Sequence, residues 1–320
     1  MNQKELFLDY ERISHHKSMM SDSVRINAYQ KAINECISIG DIVVDFGAGT
    51  GILSLLAAKS GAEKIYAIER TDIIHVAQKI AEDNKINNIV FINADSADVV
   101  LPEKCDVLLS ECLGYMAIQE NMISDFLNFR EKYLKPNGVV IPMNARLFFA
   151  PIANKQVYEN IEFWDSVTDK YGFDYKCLRE VSANSTYHVN LQKKDYLATP
   201  FEAFKINLAK DNGVNLKCKI EFKIERQDIM HGVSGYFTSM LSPNVELSTS
   251  PLHQTHWKQY FYPLSKPLLV NSGDIVKFNV EAILFKSMVD WIWKISVNDI
   301  DEEEHHTRNG IRLKELTPEK

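Results

Sequence analysis

VVDFGAGTG, residues Val43–Gly51, joins a short apolar run to the helix-forming stretch that starts at Ile52, and the spacing of its glycines decides the fold. Glycine at such a junction lets the chain turn sharply and approach a ligand with no Cβ in between. A dinucleotide fingerprint reads G-x-G-x-x-G and seats a pyrophosphate on the helix N-terminus. Here the register is G-x-G-x-G, from Gly47 through Gly49 to Gly51, and Ile52 stands where the third glycine would be needed. No Lys-Ser/Thr pair follows, which excludes a P-loop. Asp45, just ahead of the first glycine, would repel a phosphate but can accept from an ammonium group.

Outward from this loop, short apolar runs alternate with helical stretches. Strands are predicted over Asp41–Phe46, Lys64–Ile68, Ile89–Ile92, Asp106–Leu109 and Val139–Ile141. Helices are predicted over Ile52–Ser60, Ile73–Asn84 and Met122–Leu134, the last stopped by Pro136-Asn137-Gly138. Four- to six-residue strands separated by helices indicate a parallel sheet covered on both faces. After Pro142 period-two segments take over, at Lys217–Ile224, Val233–Met240, Ile275–Leu284 and Trp291–Val297. Turn residues such as Asp211-Asn212-Gly213 separate them, which predicts an antiparallel sheet, closed or nearly so. Lys155–Arg179, with Trp164, Tyr171 and Phe173, interrupts the strands as a projecting helical excursion. The acidic cluster Asp299–Glu304 reads as a solvated turn. The predicted units are an N-terminal helical segment (1–36), a Rossmann-like α/β domain (37–142) and an antiparallel β domain (143–320).

The composition, 45% hydrophobic and 25% charged over 320 residues, is that of a soluble globular protein with a sizeable core. No secretory signal or membrane-spanning run is visible. Cys36, Cys105, Cys112, Cys177 and Cys218 are odd in number and never in a CxxC pair, which argues against a zinc site or a disulfide framework and for a reducing, cytoplasmic setting. The net charge of −7 makes electrostatic capture of nucleic acid unfavourable.

SECLGYMAIQEN, residues Ser110–Asn121, follows the fourth predicted strand and sets Glu111 and Glu120 around an almost wholly apolar turn. Taken alone, it reads as a strand-to-helix connection whose acids face water. The glycine register, however, resembles that of class I S-adenosylmethionine-dependent methyltransferases, with Glu69 closing the second strand where a carboxylate can accept both ribose hydroxyls. Further on, Ser248-Thr249-Ser250-Pro251 leads to Thr255-His256-Trp257-Lys258-Gln259. Together with the paired glutamates this resembles the protein arginine methyltransferase family. The resemblance begins at Phe7, Asp9 and Tyr10, runs through His16, Met19, Asp22 and Arg25, and covers nearly the whole chain.

The resemblance implies a cofactor, S-adenosyl-L-methionine, and an antiparallel β-barrel in the second half. Phe7, Tyr10, His16 and Met19 belong to an N-terminal segment folded over that cofactor. Arg25 would pair with its carboxylate, Gly47, Gly49 and Gly51 would line it beside Asp45, and Asp95-Ser96 would lie near the adenine. Glu111 and Glu120 would clamp the acceptor guanidinium, with Met122 and Trp257 at the acceptor channel and His256 paired to Asp22. Lys155–Arg179 would be the arm of a homodimer, and no metal is implied. The family's Trp-Met after the first glutamate is here Cys112-Leu113, its first N-terminal aromatic is Leu6, and its adenine-facing glutamate is Ala97. Met19 and Met122 match members that make asymmetric dimethylarginine. Two alternatives stay open: a methyltransferase of free arginine or another small guanidine, and a non-catalytic cofactor-binding module.

Overall fold

The computed structural model describes residues 13–111, 113–118, 122–211, 215–284, 289–298, 300–301 and 304–308. Its first half is built on five parallel strands: β1 (Ile42–Phe46), β2 (Lys64–Glu69), β3 (Ile89–Asn93), β4 (Cys105–Ser110) and β5 (Leu134–Ile141). Their order across the sheet is β3-β2-β1-β4-β5. β1 and β4 are almost wholly buried, as apolar runs covered from both sides must be. The chain leaves β1 for β2 on one side and reaches β4 on the other, so strand order reverses at β1. The crevice beyond the carboxyl ends there is where open α/β sheets place ligands.

Helices α1 (Ile13–Ser21) and α2 (Ser23–Cys36) precede the sheet, and α3 (Ile52–Lys59), α4 (Ile74–Asp83) and α5 (Met122–Tyr133) link its strands. Gly51, at φ 81°, caps α3 in the left-handed region that glycine enters at no steric cost. The predicted helix stop at Pro136–Gly138 is corrected: β5 starts at Leu134, and those residues form an irregularity within it. Cys105 pairs with Leu134 and Val107 with Val139, so the turn-forming triplet is absorbed as a bulge.

The second half starts with β6 (Asn144–Ile152), followed by the helical pair α6 (Lys155–Tyr171) and α7 (Lys176–Ala183). Asn154 caps α6 by accepting from Val157 N–H at 3.2 Å, and Gly172 ends it at φ 74°. Then come β7 (Tyr187–Val189), β8 (Phe201–Asn207), β9 (Lys217–Lys223), β10 (Asp228–Ser242), β11 (Val245–Ser248), β12 (Gln259–Val270), β13 (Ile275–Leu284), β14 (Val289–Val297), β15 (Ile300–Asp301) and β16 (His305–His306). One sheet runs β7-β12-β10-β6-β8 with β11 on β10; the other runs β15-β14-β13-β9 with β16 on β14. Among the described residues no ladder joins the two sheets, which face each other across one core. Phe149, Tyr262, Phe278, Trp291 and Trp293 fill the space between them with edge-to-face and tilted rings. Part of the acidic segment 299–304, expected as a turn, pairs as β15 with Val297 and Ser296.

Helix α2 fastens the halves together. Tyr29 donates its hydroxyl to the Ser110 carbonyl (3.0 Å) at the end of β4. Nearly two turns past it, Glu35 accepts from Ser242 Oγ and Asn244 Nδ2, each at 2.8 Å, at the β10–β11 turn. The carboxyl ends of β1 and β4 are thereby roofed by a helix anchored in the other half. No described helix is long and apolar enough to cross a membrane.

Candidate active site

The glycine loop and the end of β2 form one wall of the crevice. Both oxygens of Glu69 are held: Oε1 accepts from Thr71 N–H and Oγ1 at 2.9 Å, and Oε2 accepts from Gly49 N–H at 3.1 Å. A carboxylate tied to the loop backbone in this way has a fixed orientation towards the crevice. A Cβ at Gly49 would stand 3.3 Å from the His16 ring, and one at Gly51 would stand 2.9 Å from Ala77 Cβ. The loop is therefore closed down on α1 and α4. Asp45 is fully buried; its Oδ2 accepts from Ser54 Oγ at 2.6 Å, while Oδ1 has no partner among the described residues. Burial pushes the Asp45 carboxyl up to about 6, with Ser54 opposing that rise.

The second wall comes from α2 and from the loop between β11 and β12. Asp22 caps α2 by accepting from Arg25 N–H through Oδ1 at 2.9 Å. Its Oδ2 accepts from the His256 backbone N–H at 2.9 Å and faces His256 Nδ1 at 2.8 Å. Burial raises this carboxyl, but the His256 ring and the two backbone donors outweigh it and hold Asp22 below the usual carboxylate range. An ionised carboxylate only accepts, so Nδ1 carries a proton in this pair.

Arg25 and Glu111 form a mostly buried ion pair through Nη1 and Oε2. Burial pushes the Glu111 carboxyl above its ordinary range, against the charges of Arg25 and His256. Arg25 Nε is buried and has no partner among the described residues. The turn that follows Glu111 is a single 3-10 turn, Tyr115–Ala117, in which Met116 and Ala117 take φ of 52° and 58°. Side chains rarely occupy that region, so packing must hold it. Met116 is buried over Gly235 on β10: a Cβ there would stand 2.6 Å from Met116 Cε.

The crevice thus brings together Asp22, Arg25, His256 and Glu111 on one side, and His16, Asp45, Gly49 and Glu69 on the other. Gly47 starts the loop by donating its N–H to Ile68 O at 2.9 Å. Arg25, expected at a cofactor carboxylate, spends its Nη1 on Glu111. Met19 lies half-buried on α1. Asp95 caps its own turn through Ala97 N–H (3.0 Å) and sits 3.8 Å from Arg70, with Ser96 beside it. Trp257, expected to wall a channel, is 3% exposed and packs edge-on against Phe237 (5.3 Å) and beside His256. Its ring therefore backs the His256 side of the crevice from within the core. Phe7, Tyr10, Cys112, Glu120 and the Met122 side chain lie outside the described residues. Thr71, Ser54 and Gly235 were missed. A glycine in mid-strand is a signal that something approaches closely; the two hydroxyls carry no sequence signal.

A profile described as the arginine methyltransferase oligomerization subdomain matches residues 143–288, and one described as ribosomal protein L11 methyltransferase matches residues 27–142. The chain is 34% identical over 291 residues to protein arginine N-methyltransferase 6 of Xenopus laevis, covering 85% of this chain and 86% of that protein. It is 30% identical over 311 residues to protein arginine N-methyltransferase 1 of Dictyostelium discoideum, covering 93% and 90%. The fold matches that of Arabidopsis thaliana protein arginine methyltransferase 10 with a TM-score of 0.81 (24% identity, 94% and 99% of the two chains). It also matches the Trypanosoma brucei PRMT1 enzyme-prozyme heterotetrameric complex with AdoHcy, with a TM-score of 0.85 (22% identity, 93% and 99%).

Proposed function

The chain belongs to the protein arginine methyltransferase family, and from that premise we propose that it moves a methyl group from S-adenosyl-L-methionine to a terminal nitrogen of arginine in a protein or peptide. The observation that carries this reading is the Arg25–Glu111 pair. A mostly buried carboxylate at the carboxyl end of β4, across from the glycine loop, is already gripping a guanidinium. Sequence relatives named for protein substrates favour a protein acceptor over free arginine.

Two orphaned buried atoms fit the amino-acid end of the cofactor. Arg25 Nε is a donor that an α-carboxylate would satisfy, and Asp45 Oδ1 is an acceptor that an α-ammonium would satisfy. Glu69, locked to the loop, would take the ribose hydroxyls. When bound, the cofactor supplies a methyl group on a positively charged sulfur, and its departure needs no acid. The remaining difficulty is the nucleophile, a guanidinium with a pKa above about 12. Glu111 and Glu120 would hold its planar fork from two sides and aim one terminal nitrogen at the methyl group. Orientation of this kind can lower a barrier by up to roughly 7–11 kcal/mol. The burial that lifts Glu111 also strengthens its pull on a cation. The His256 ring is held through Nδ1 by Asp22, and either Glu120 or this Asp22–His256 pair receives the departing proton.

We further infer that the products are mono- and asymmetric dimethylarginine, from Met19 and Met122. The helical arm α6–α7 would join a homodimer, since it exposes Phe163 (54%), Tyr171 (59%) and Phe173 (68%). The four described cysteines are free thiols, which supports a reducing, cytoplasmic setting. The test is a competition between an arginine-rich peptide and free arginine for label from methyl-labelled cofactor, with product analysis by mass spectrometry and amino-acid hydrolysis. Peptide label as mono- and asymmetric dimethylarginine supports the reading. Label confined to free arginine overturns the protein acceptor, and symmetric product overturns the methylation type.

A further inference from the structure

Tyr115, four residues after Glu111, meets two rings from the antiparallel sheet. The His188 ring lies on it face to face, with centroids 3.8 Å apart and planes 17° apart, and Tyr260 leans against it at 6.1 Å. His188 and Tyr260 are cross-strand partners on β7 and β12, their own rings 4.7 Å apart. β12 starts directly after the loop that carries His256, and β7 is the edge strand of the same sheet. His188 is exposed at that edge, yet its ring face is covered by Tyr115. Burial of that face, with Lys258 adding a like charge, holds the imidazole down at about 4, so it stacks as a neutral ring.

The turn that Tyr115 opens is held rather than relaxed. Met116 and Ala117 occupy the left-handed region, and the turn's own hydrogen bonds are Ala117 N–H to Gly114 O at 2.8 Å and Ile118 N–H to Tyr115 O at 3.4 Å. A clamp on its first residue is what keeps such a turn from opening. We propose that His188 is a positioning residue for methyl transfer: by stacking on Tyr115 it pins the turn 113–118 that follows Glu111 to the sheet next to the His256 loop. The inference rests on the arginine methyltransferase reading above. It assigns His188 no proton and no contact with the methyl group.

The test compares His188→Ala and His188→Phe in the full chain. An aromatic stack of this kind corresponds to about a 3- to 10-fold effect. His188→Ala should lower kcat on an arginine-rich peptide by about that factor, with cofactor Kd and melting temperature unchanged. His188→Phe, which keeps the stack, should restore kcat and leave the pH–rate profile as in wild type. Hydrogen exchange at the amides of residues 113–118 reads the same clamp without turnover: faster in His188→Ala, as wild type in His188→Phe. Wild-type kcat and exchange in His188→Ala overturn the proposal. So does a phenylalanine variant as impaired as the alanine one, or a shifted pH profile, which would give His188 a proton-transfer role. Wild-type enzyme inert on every arginine acceptor would overturn the functional reading instead, and the exchange comparison would still decide the clamp.

Discussion

Gly235→Ala is the sharpest single perturbation of the acceptor side. The new Cβ would stand 2.6 Å from Met116 Cε, 3.1 Å from Met116 Sδ and 3.0 Å from Phe149 Cε1, where ordinary contact begins at 3.4 Å. Phe149 is fully buried among Phe204, Tyr262, Phe278 and Trp291 and has nowhere to retreat. Met116 must therefore give by about 0.8 Å, and it is the residue that holds the strained turn after Glu111. Adding one methyl to such a packed site costs about 1–3 kcal/mol. If the loop moves rather than the core, the same energy appears as a roughly 5- to 150-fold loss of kcat/KM. Steady-state kinetics on a peptide acceptor, urea denaturation and cofactor calorimetry separate these outcomes, and cofactor affinity should be unchanged. The decisive control is Met116→Ala: with the thioether gone only the 3.0 Å contact to Phe149 remains, and Gly235→Ala should cost clearly less than it does in the wild-type background. An equal cost in both backgrounds would show that the clash with Met116 is not what limits the site.

Glu111→Gln or Glu120→Gln should lower turnover at least about 10²-fold while calorimetry still finds cofactor binding; wild-type turnover in both would remove the clamp from the mechanism. Asp22→Ala loses the α2 cap as well as the His256 anchor and should cost about 1 kcal/mol or more in urea denaturation, whereas Asp22→Asn keeps an acceptor for Arg25 N–H, loses only the acceptor for the two His256 donors, and should be less destabilised than Asp22→Ala. Equal stability of the two variants would mean that the cap contributes nothing. Asp45 has a folded pKa of about 6, above its ordinary 3.8, so its contribution is fully present below pH 3.8 and lost as pH rises through 6. Without added cofactor, wild type should lose about 2.5 kcal/mol relative to Asp45→Asn between pH 4 and pH 8, and a pH-independent difference would contradict the burial argument. Phe163→Glu with Phe173→Glu should convert the sedimenting species to monomer; an unaltered sedimentation coefficient would place the contact elsewhere.

The parallel half is legible in sequence because its strands are buried from both sides and its helices are periodic. Each was located to within one or two residues, except β5, where Pro136–Gly138 reads as a stop but is accommodated as a bulge. The antiparallel half was harder to read. β12 carries Pro263 and Pro267, which cannot donate to a ladder, and its pairing with β10 slips between Met230 and Gly232, opposite Pro263. β6 alternates at first and then turns continuously buried, so period two breaks off after Phe148. Within the site, the glycine loop and the chemistry of Asp45 follow from local spacing. The pairing of Asp22 with His256 does not: 234 positions separate them, and only the family resemblance brought them together. Gly235 and His188 act through what lies on top of them, and no local pattern encodes that.

The shared carboxylate of Asp22 has a consequence for synthesis. Asp22, the glycine loop and Glu111 leave the ribosome well before His256, with 145 residues still to be added after Glu111. At about 5–20 residues per second that interval is on the order of 7–30 s. Throughout it the nascent chain has the glycine loop and Glu111 but only half of its catalytic wall, since Asp22 has no imidazole to hold. Activity that depends on the Asp22–His256 pair is thus deferred until the loop carrying His256 has been added, and a prematurely terminated chain ending before Thr255 would be inert.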